Sequence, residues 1–232
     1  MGLLDGKVAI VTGAGGGLGR AHALLLAEHG AAVVVNDLGG ARDGTGSGTR
    51  MADAVVTEIQ AAGGQAAATY GSVTDDTAAA AMVQCAVDNF GRLDILINNA
   101  GILRDRSFKN MTDAEWDAVI DVHLRGSYLA TKHAWQQMLA QGEGGRIIMT
   151  SSTSGLIGNF GQANYGAAKA GMAGFMRVLA LEGMKYGITV NVLAPAALSR
   201  MTEDLMPESE EIAVRMAPEK VSPTVAWLCT DA

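Results

Sequence analysis

Cysteine is almost missing: Cys85 and Cys229 are the only two, and each lies in an apolar stretch. A disulfide framework is therefore not indicated, and a reducing, cytoplasmic setting is expected. Basic charge is also short, with 17 Lys and Arg against 24 Asp and Glu for a net charge of −7. Nucleic-acid binders carry a basic patch or stripe, so that class is disfavoured. No apolar run reaches the roughly 18 residues needed to span a bilayer. The first six residues lead straight into Val8-Ala9-Ile10-Val11, without a basic n-region or a small-residue cleavage site. No targeting segment and no membrane partner are expected. His22, His29 and His133 have no companions at metal-ligand spacing, so no metal is expected.

Apolar material is plentiful. Hydrophobic residues make up 49% of the 232, enough for a sizeable core and too much for a disordered or fibrous chain. Apolar runs of strand length recur over 7–12, 32–36, 66–70, 93–98, 146–150 and 189–193. Most are continuous rather than alternating, as strands covered on both faces should be. Helical patterns fill the intervals, over 18–29, 49–62, 75–90, 113–139 and 165–186. Strand and helix alternating in this way predict an α/β fold, a doubly wound parallel sheet of Rossmann-like type. No linker divides it, so residues 1–232 are read as one domain. Ser222-Pro223 opens a further short helix over 224–229.

Thirty glycines are roughly twice the usual share of about 7%, and they cluster without a collagen-like period. Thr12-Gly13-Ala14-Gly15-Gly16-Gly17-Leu18-Gly19 follows the first strand and opens directly into a helix. The literal G-x-G-x-x-G is not matched, but the physics is the same. Glycines allow a tight turn and close backbone approach, and the helix N-terminus faces a pyrophosphate. Asp37 ends the second strand, where an acid can accept hydrogen bonds from the adenosine ribose hydroxyls and repel a 2′-phosphate. NAD is favoured over NADP on that ground; a helix or loop cap is the other reading. Residues 37–50 hold five glycines in a connection far longer than the usual two to six residues or so. That insertion is either a tolerated surface loop or a cover over the cofactor.

Tyr165 and Lys169 stand at i and i+4 and so share one helix face. An ammonium beside a phenol stabilises the phenolate, which makes Tyr165 a candidate general acid/base. Ser152 follows the fifth strand, where a parallel sheet presents its carboxyl-end crevice, and its hydroxyl can hold a substrate oxygen. These three form a candidate proton-transfer site.

The glycine turn, Asn98-Asn99-Ala100-Gly101, Ser152 and Tyr165-x-x-x-Lys169, in this order and spacing, resemble the short-chain dehydrogenase/reductase family. That resemblance covers essentially the whole chain. It implies hydride transfer between a nicotinamide and an alcohol or ketone, with Tyr165 as acid/base and Ser152 as substrate-orienting donor. It implies that Lys169 binds the nicotinamide ribose and lowers the Tyr165 pKa. Further cofactor contacts implied by it fall on Gly13, Gly17, Leu18, Gly19, Asp37, Ser72, Val73, Asn99, Ala100, Gly101 and Pro195, beside Tyr165 and Lys169. Many members carry asparagine where His123 stands; histidine there is either a proton relay or a buried, hydrogen-bonded side chain. A seventh strand, which in family members builds the sheet edge and subunit contacts, is expected to be missing. The helices over 113–139 and 165–186 resemble those that pair subunits, which implies a homodimer or homotetramer.

Longer stretches narrow the resemblance. Val35 to Gly40, Gly101 to Phe108, Val122 to Ser127, Asn159 to Tyr165 and Ser199-Arg200-Met201-Thr202 are similar to the (3R)-hydroxyacyl-CoA dehydrogenase unit of multifunctional β-oxidation enzyme type 2. The implied reaction is NAD-dependent conversion of a (3R)-hydroxyacyl-CoA to a 3-oxoacyl-CoA in fatty acid metabolism. Another family member acting on a steroid, a sugar or a 3-oxoacyl-carrier-protein is the enzymatic alternative. A nucleotide-sensing or scaffold protein without turnover is the non-enzymatic one. Arg104, Arg106 and Lys109 form a small basic patch, either for acyl-CoA phosphates or simply solvated. The methionines read as core filler, or as pocket lining near Met201 and Met206.

Overall fold

Val8-Ala9-Ile10-Val11-Thr12 is buried along its entire length, as a central strand covered on both faces requires. In the computed structural model, which describes residues 2–197 and 209–231, it is the first of six strands. The elements run β1 (Val8–Thr12), α1 (Gly17–Glu28), β2 (Ala32–Asn36), α2 (Arg50–Ala61), β3 (Ala66–Thr69), α3 (Asp76–Phe90) and β4 (Ile95–Asn98). There follow α4 (Asp113–Ile120), α5 (Gly126–Gln141), β5 (Gly145–Thr150), α6 (Thr153–Leu156), α7 (Ala163–Gly183), β6 (Ile188–Leu193), α8 (Glu210–Arg215) and α9 (Ser222–Leu228). All strands pair in parallel, in the order β3-β2-β1-β4-β5-β6. The doubly wound, Rossmann-like sheet expected from sequence is present, and among the described residues β6 is its last strand. The motif Ser199 to Thr202, and Met201 and Met206, lie outside the described residues.

Period-two alternation in β1 divides the core. Ala9 and Val11 join Leu26 of α1, Val55 and Ile59 of α2 and Val225 of α9 on one face. Val8 and Ile10 join Met82 of α3, Ala134 and Met138 of α5 and Met172 of α7 on the other. Local chemistry sets the helix ends. Asp75 accepts the Thr77 and Ala78 amides at the start of α3, and Thr112 with Glu115 forms a capping box on α4. Gly91 and Gly142 close α3 and α5 in left-handed geometry.

One expectation needs correction. The helix read over 113–139 is not continuous: a π-helical segment, Asp121–Arg125, separates α4 from α5. Such bulges insert an extra residue per turn and recur at functional sites. Here it carries His123 into the interior. Among the described residues, no helix is long and apolar enough to cross a membrane.

Candidate active site

The strand order reverses between β1 and β4, so connections leave on opposite sides and a crevice opens at their carboxyl ends. Thr12 and Asn99 lock this point. The Thr12 hydroxyl accepts the Asn99 and Ala100 amides, each at 3.0 Å, and donates to the Ile97 carbonyl. The Asn99 amide donates to the Thr12 and Gly13 carbonyls at 2.9 and 3.1 Å, which pins the glycine turn to β4. Gly13 has φ 63°, and a Cβ there would lie 2.7 Å from the Ala100 Cα, so only glycine fits. Asn98 points the other way, to Thr131 at 2.9 Å, and ties β4 to α5.

A cavity of about 400 Å³ occupies the crevice. Gly13, Gly17, Leu18, Asp37, Ser72, Val73, Asn99, Ala100 and Gly101 line it. Gly19 does not; it sits behind the turn, where a Cβ would strike the Gly13 carbonyl and the Asn99 amide. Tyr165, Lys169 and Pro195 are also outside its lining. Pro195 stands two residues beyond β6. The start of α1 has no side-chain cap, which leaves its first amides for an anionic group. A nicotinamide dinucleotide fits these residues: the diphosphate at the helix start and the adenosine ribose at Asp37.

Asp37 serves two purposes. Its Oδ2 accepts the Gly15 amide at 2.8 Å and its Oδ1 the Gly39 amide at 2.7 Å, so it is a loop cap that also faces the cavity. The glycine-rich insertion is no loose surface loop. It closes as a hairpin, Gly48 N–H to the Leu38 carbonyl and Ala41 N–H to the Thr45 carbonyl. Its tip rests on the β4 exit: the Leu103 amide donates to the Arg42 carbonyl at 3.0 Å, and Arg104 Nε to the Asp43 carbonyl at 3.0 Å. Leu38, Ala41, Arg42 and Gly44 thereby join the cavity wall together with Ile102 and Arg104. Leu38, Ala41, Arg42, Gly44 and Ile102 were not singled out from sequence as site residues; the unusual length of the glycine loop was the available signal.

Ser152, Tyr165 and Lys169 lie outside the cavity lining and reach its wall through His123, which touches Gly101 and Ile102 on one side and Tyr165 on the other. The Ser152 hydroxyl accepts the Ser154 amide at 3.2 Å, at the start of α6. Tyr165 lies in the first turn of α7, and Lys169 one turn on, 2% exposed, with its ammonium donating to the Thr150 carbonyl. Lys169 Nζ lies 5.5 Å from the phenol ring centre. Burial pushes the Lys169 pKa down to about 7. The Tyr165 phenol is held above its usual range, first by burial; the Ser152 hydrogen bond pulls it down and the Asp105 charge pushes it up. The expected lowering by Lys169 is not found here. Desolvation dominates the phenol, and the same burial weakens the ammonium that was to stabilise its anion.

His123 packs edge-on against Tyr165, ring centres 5.1 Å apart at 88°. Its Nε2 lies 2.8 Å from the Ile102 carbonyl and 3.1 Å from the Ile102 amide, while its buried Nδ1 has no hydrogen-bond partner among the described residues. Burial and the neighbouring Lys169 charge hold its pKa well below the usual histidine value. The ring is neutral, and Gly101 makes room for it: a Cβ there would lie 2.3 Å from its Cε1. The basic patch is partly engaged, because Arg106 pairs with Glu115 at 3.0 Å and Arg104 holds the hairpin. His22 bonds Ser222 at 2.8 Å and His133 bonds Asp76 at 2.9 Å, so both histidines tie elements together.

A phenol, an amine and a hydroxyl lie together here: Ser152 hydrogen-bonds Tyr165, and Lys169 stands beside its ring. The short chain dehydrogenase family model matches residues 7–211. The chain belongs to the short-chain dehydrogenase family. It is an oxidoreductase of that family, whose fold binds nicotinamide cofactors. It is 55% identical over 225 residues to the peroxisomal multifunctional enzyme type 2 of Mus musculus, covering 97% of this chain but 30% of that protein. It is 43% identical to the hydroxyacyl-CoA dehydrogenase ChsB1 of Mycobacterium tuberculosis, with 99% of this chain and 74% of that one covered. The crystal structure of a short chain dehydrogenase from Mycobacterium avium superposes with a TM-score of 0.86 at 51% identity, covering 99% of this chain and 79% of that one.

Proposed function

We propose that this chain oxidises a (3R)-3-hydroxyacyl-CoA to a 3-oxoacyl-CoA with NAD, or runs the reverse reduction. The observation that carries the reading is the contact of Tyr165 with Ser152 and Lys169, joined through His123 to the wall of the β1–β4 cavity. The hydroxyacyl-CoA part rests on the likeness to the two named relatives, of which the mouse protein is far longer than this chain.

Ser152 holds the substrate hydroxyl, and Tyr165 takes its proton as general base. Lys169 stands beside the phenol ring and would hold the nicotinamide ribose. The bound nicotinamide supplies the hydride acceptor. His123, its Nε2 fixed on Ile102, packs against the phenol ring and braces it. NADH formation with a 3-hydroxyacyl-CoA, run beside a hydroxysteroid and a 3-hydroxyacyl-carrier-protein, tests the substrate class. Activity on either comparison compound alone assigns the chain to the enzymatic alternative.

NAD preference rests on Asp37. Asp37→Ala should narrow the preference for NAD over NADP, because a 2′-phosphate would no longer meet a carboxylate. An unchanged preference in competition kinetics would make Asp37 a loop cap only. For assembly we propose a homodimer or homotetramer, since Tyr128 and Leu139 on α5 and Val178 and Leu181 on α7 are exposed. A single-chain mass in light scattering would contradict it. The two thiols are free, and a reducing cytoplasm is the compartment proposed.

A further inference from the structure

Ser152 is the N-cap of α6, a one-turn helix of four residues, too short to hold its own position. Its neighbour Ser151 is held from outside, by the Leu193 carbonyl of β6 and the Lys169 carbonyl of α7, and the turn that follows Ser152 has a tie of its own. We propose that Asp105, acting through Gln162 and Ser154, is the positioning residue that ties the Ser152 turn to the first turn of α7. The inference rests on the reading of Tyr165 as the proton-transfer group.

The tie is a continuous set of hydrogen bonds across three segments. Asp105 Oδ2 accepts from Gln162 Nε2 at 2.7 Å. Gln162 Oε1 in turn accepts from Ser154 Oγ at 2.7 Å and from Asn159 Nδ2 at 3.2 Å. Ser154 N–H donates to Ser152 Oγ. Gln162 is 6% exposed, and having its amide engaged at both ends leaves it one orientation. It immediately precedes α7, three residues before Tyr165. Asp105 has its own anchors on either side. The Arg106 amide donates to the Gly161 carbonyl at 2.8 Å, and Asn164 Nδ2 donates to the Arg104 carbonyl at 3.1 Å. The carboxylate gives Gln162 a charged acceptor, and such a bond is stronger than one to a neutral acceptor.

That charge also reaches the phenol. The other groups around Tyr165 are Lys169 on α7, buried and weakened as a cation, and His123 on the π-helical segment, neutral. Of the nearby arginines, Arg104 is spent on the Asp43 carbonyl and Arg106 on Glu115 of α4. Asp105 raises the Tyr165 pKa because a neighbouring anion disfavours phenolate. Alcohol oxidation needs the phenolate, so its rate rises with pH through that ionisation. Removing the Asp105 charge should move the rise to lower pH.

The test uses the full chain with three variants, read by kcat, by the pH profile of kcat/KM for oxidation, and by NADH affinity from nicotinamide fluorescence. Asp105→Ala should lose about tenfold in kcat, as expected for one charged hydrogen bond, and its profile should move to lower pH. Asp105→Asn keeps an acceptor oxygen for Gln162, so it should recover most of the kcat while its profile still moves. Ser154→Ala breaks the tie but keeps the charge: kcat should fall with the profile unmoved. NADH affinity should stay within about twofold in all three, which also shows that they fold. If Asp105→Ala does not fold, the contrast between Asp105→Asn and Ser154→Ala decides. Equal kcat loss in Asp105→Ala and Asp105→Asn overturns the proposal, as does a profile that moves in none of them. A wild-type profile with no such limb would instead contradict the Tyr165 reading itself.

Discussion

Tyr165→Phe should lower turnover by about 10²–10⁴-fold, the usual contribution of a general acid or base, while NADH affinity stays nearly intact. The substitution removes one oxygen and little else. The ring keeps its edge contact with His123, and Ser152 keeps the Ser154 amide. Tyr165 is outside the cavity lining, so the bulk of a bound dinucleotide does not depend on it. The loss should therefore fall on kcat rather than on cofactor affinity. Near-normal turnover in steady-state kinetics would remove Tyr165 from the mechanism.

Lys169→Met should lose turnover by a comparable factor and yet make the cofactor-free protein more heat-stable at pH 7. Burial holds the Lys169 pKa at about 7, whereas an unfolded lysine titrates near its ordinary 10.5. Between these values the unfolded chain binds the extra proton, so this group makes stability rise with pH from 7 towards 10. At neutral pH the buried amine is therefore a net cost. Methionine fills similar space without it, although the Thr150 carbonyl loses a donor. Calorimetry at pH 7 and pH 9 should show the variant's Tm advantage shrinking as pH rises. A Tm below wild type at both would show that the Thr150 bond outweighs desolvation.

The strands were legible because burial on both faces leaves continuous apolar runs, as in Val8 to Thr12 and Ile95 to Asn98. The π-helical segment was not. One extra residue in a turn hardly disturbs a 3.6-residue period, so 113–139 read as a single helix. Helix α6 was missed for a similar reason, since four residues show no period at all. Asp37, Ser72 and Asn99 line the cavity. The hairpin over it depends on backbone bonds such as Gly48 to Leu38, which leave no side-chain pattern to read. Charge states were hidden most completely. Lys169 and His123 are perturbed by burial, and burial is a property of the packed chain rather than of any local run. The Asp105–Gln162 bond joins residues 57 apart, which no local reading would pair.

Stereochemistry tests the proposed hydride transfer most directly. With Ser152 and Tyr165 fixing the hydroxyl oxygen and the nicotinamide fixed in its cavity, only one configuration at C3 aims its hydrogen at the ring. A misplacement of about 1 Å can cost 10²-fold in rate. NADH production should be followed with both enantiomers of a short and a medium 3-hydroxyacyl-CoA. Rapid oxidation of the 3R compounds, with the 3S compounds slower by about 10²-fold or more, is the expected result. Equal rates on the two enantiomers would contradict the proposed geometry.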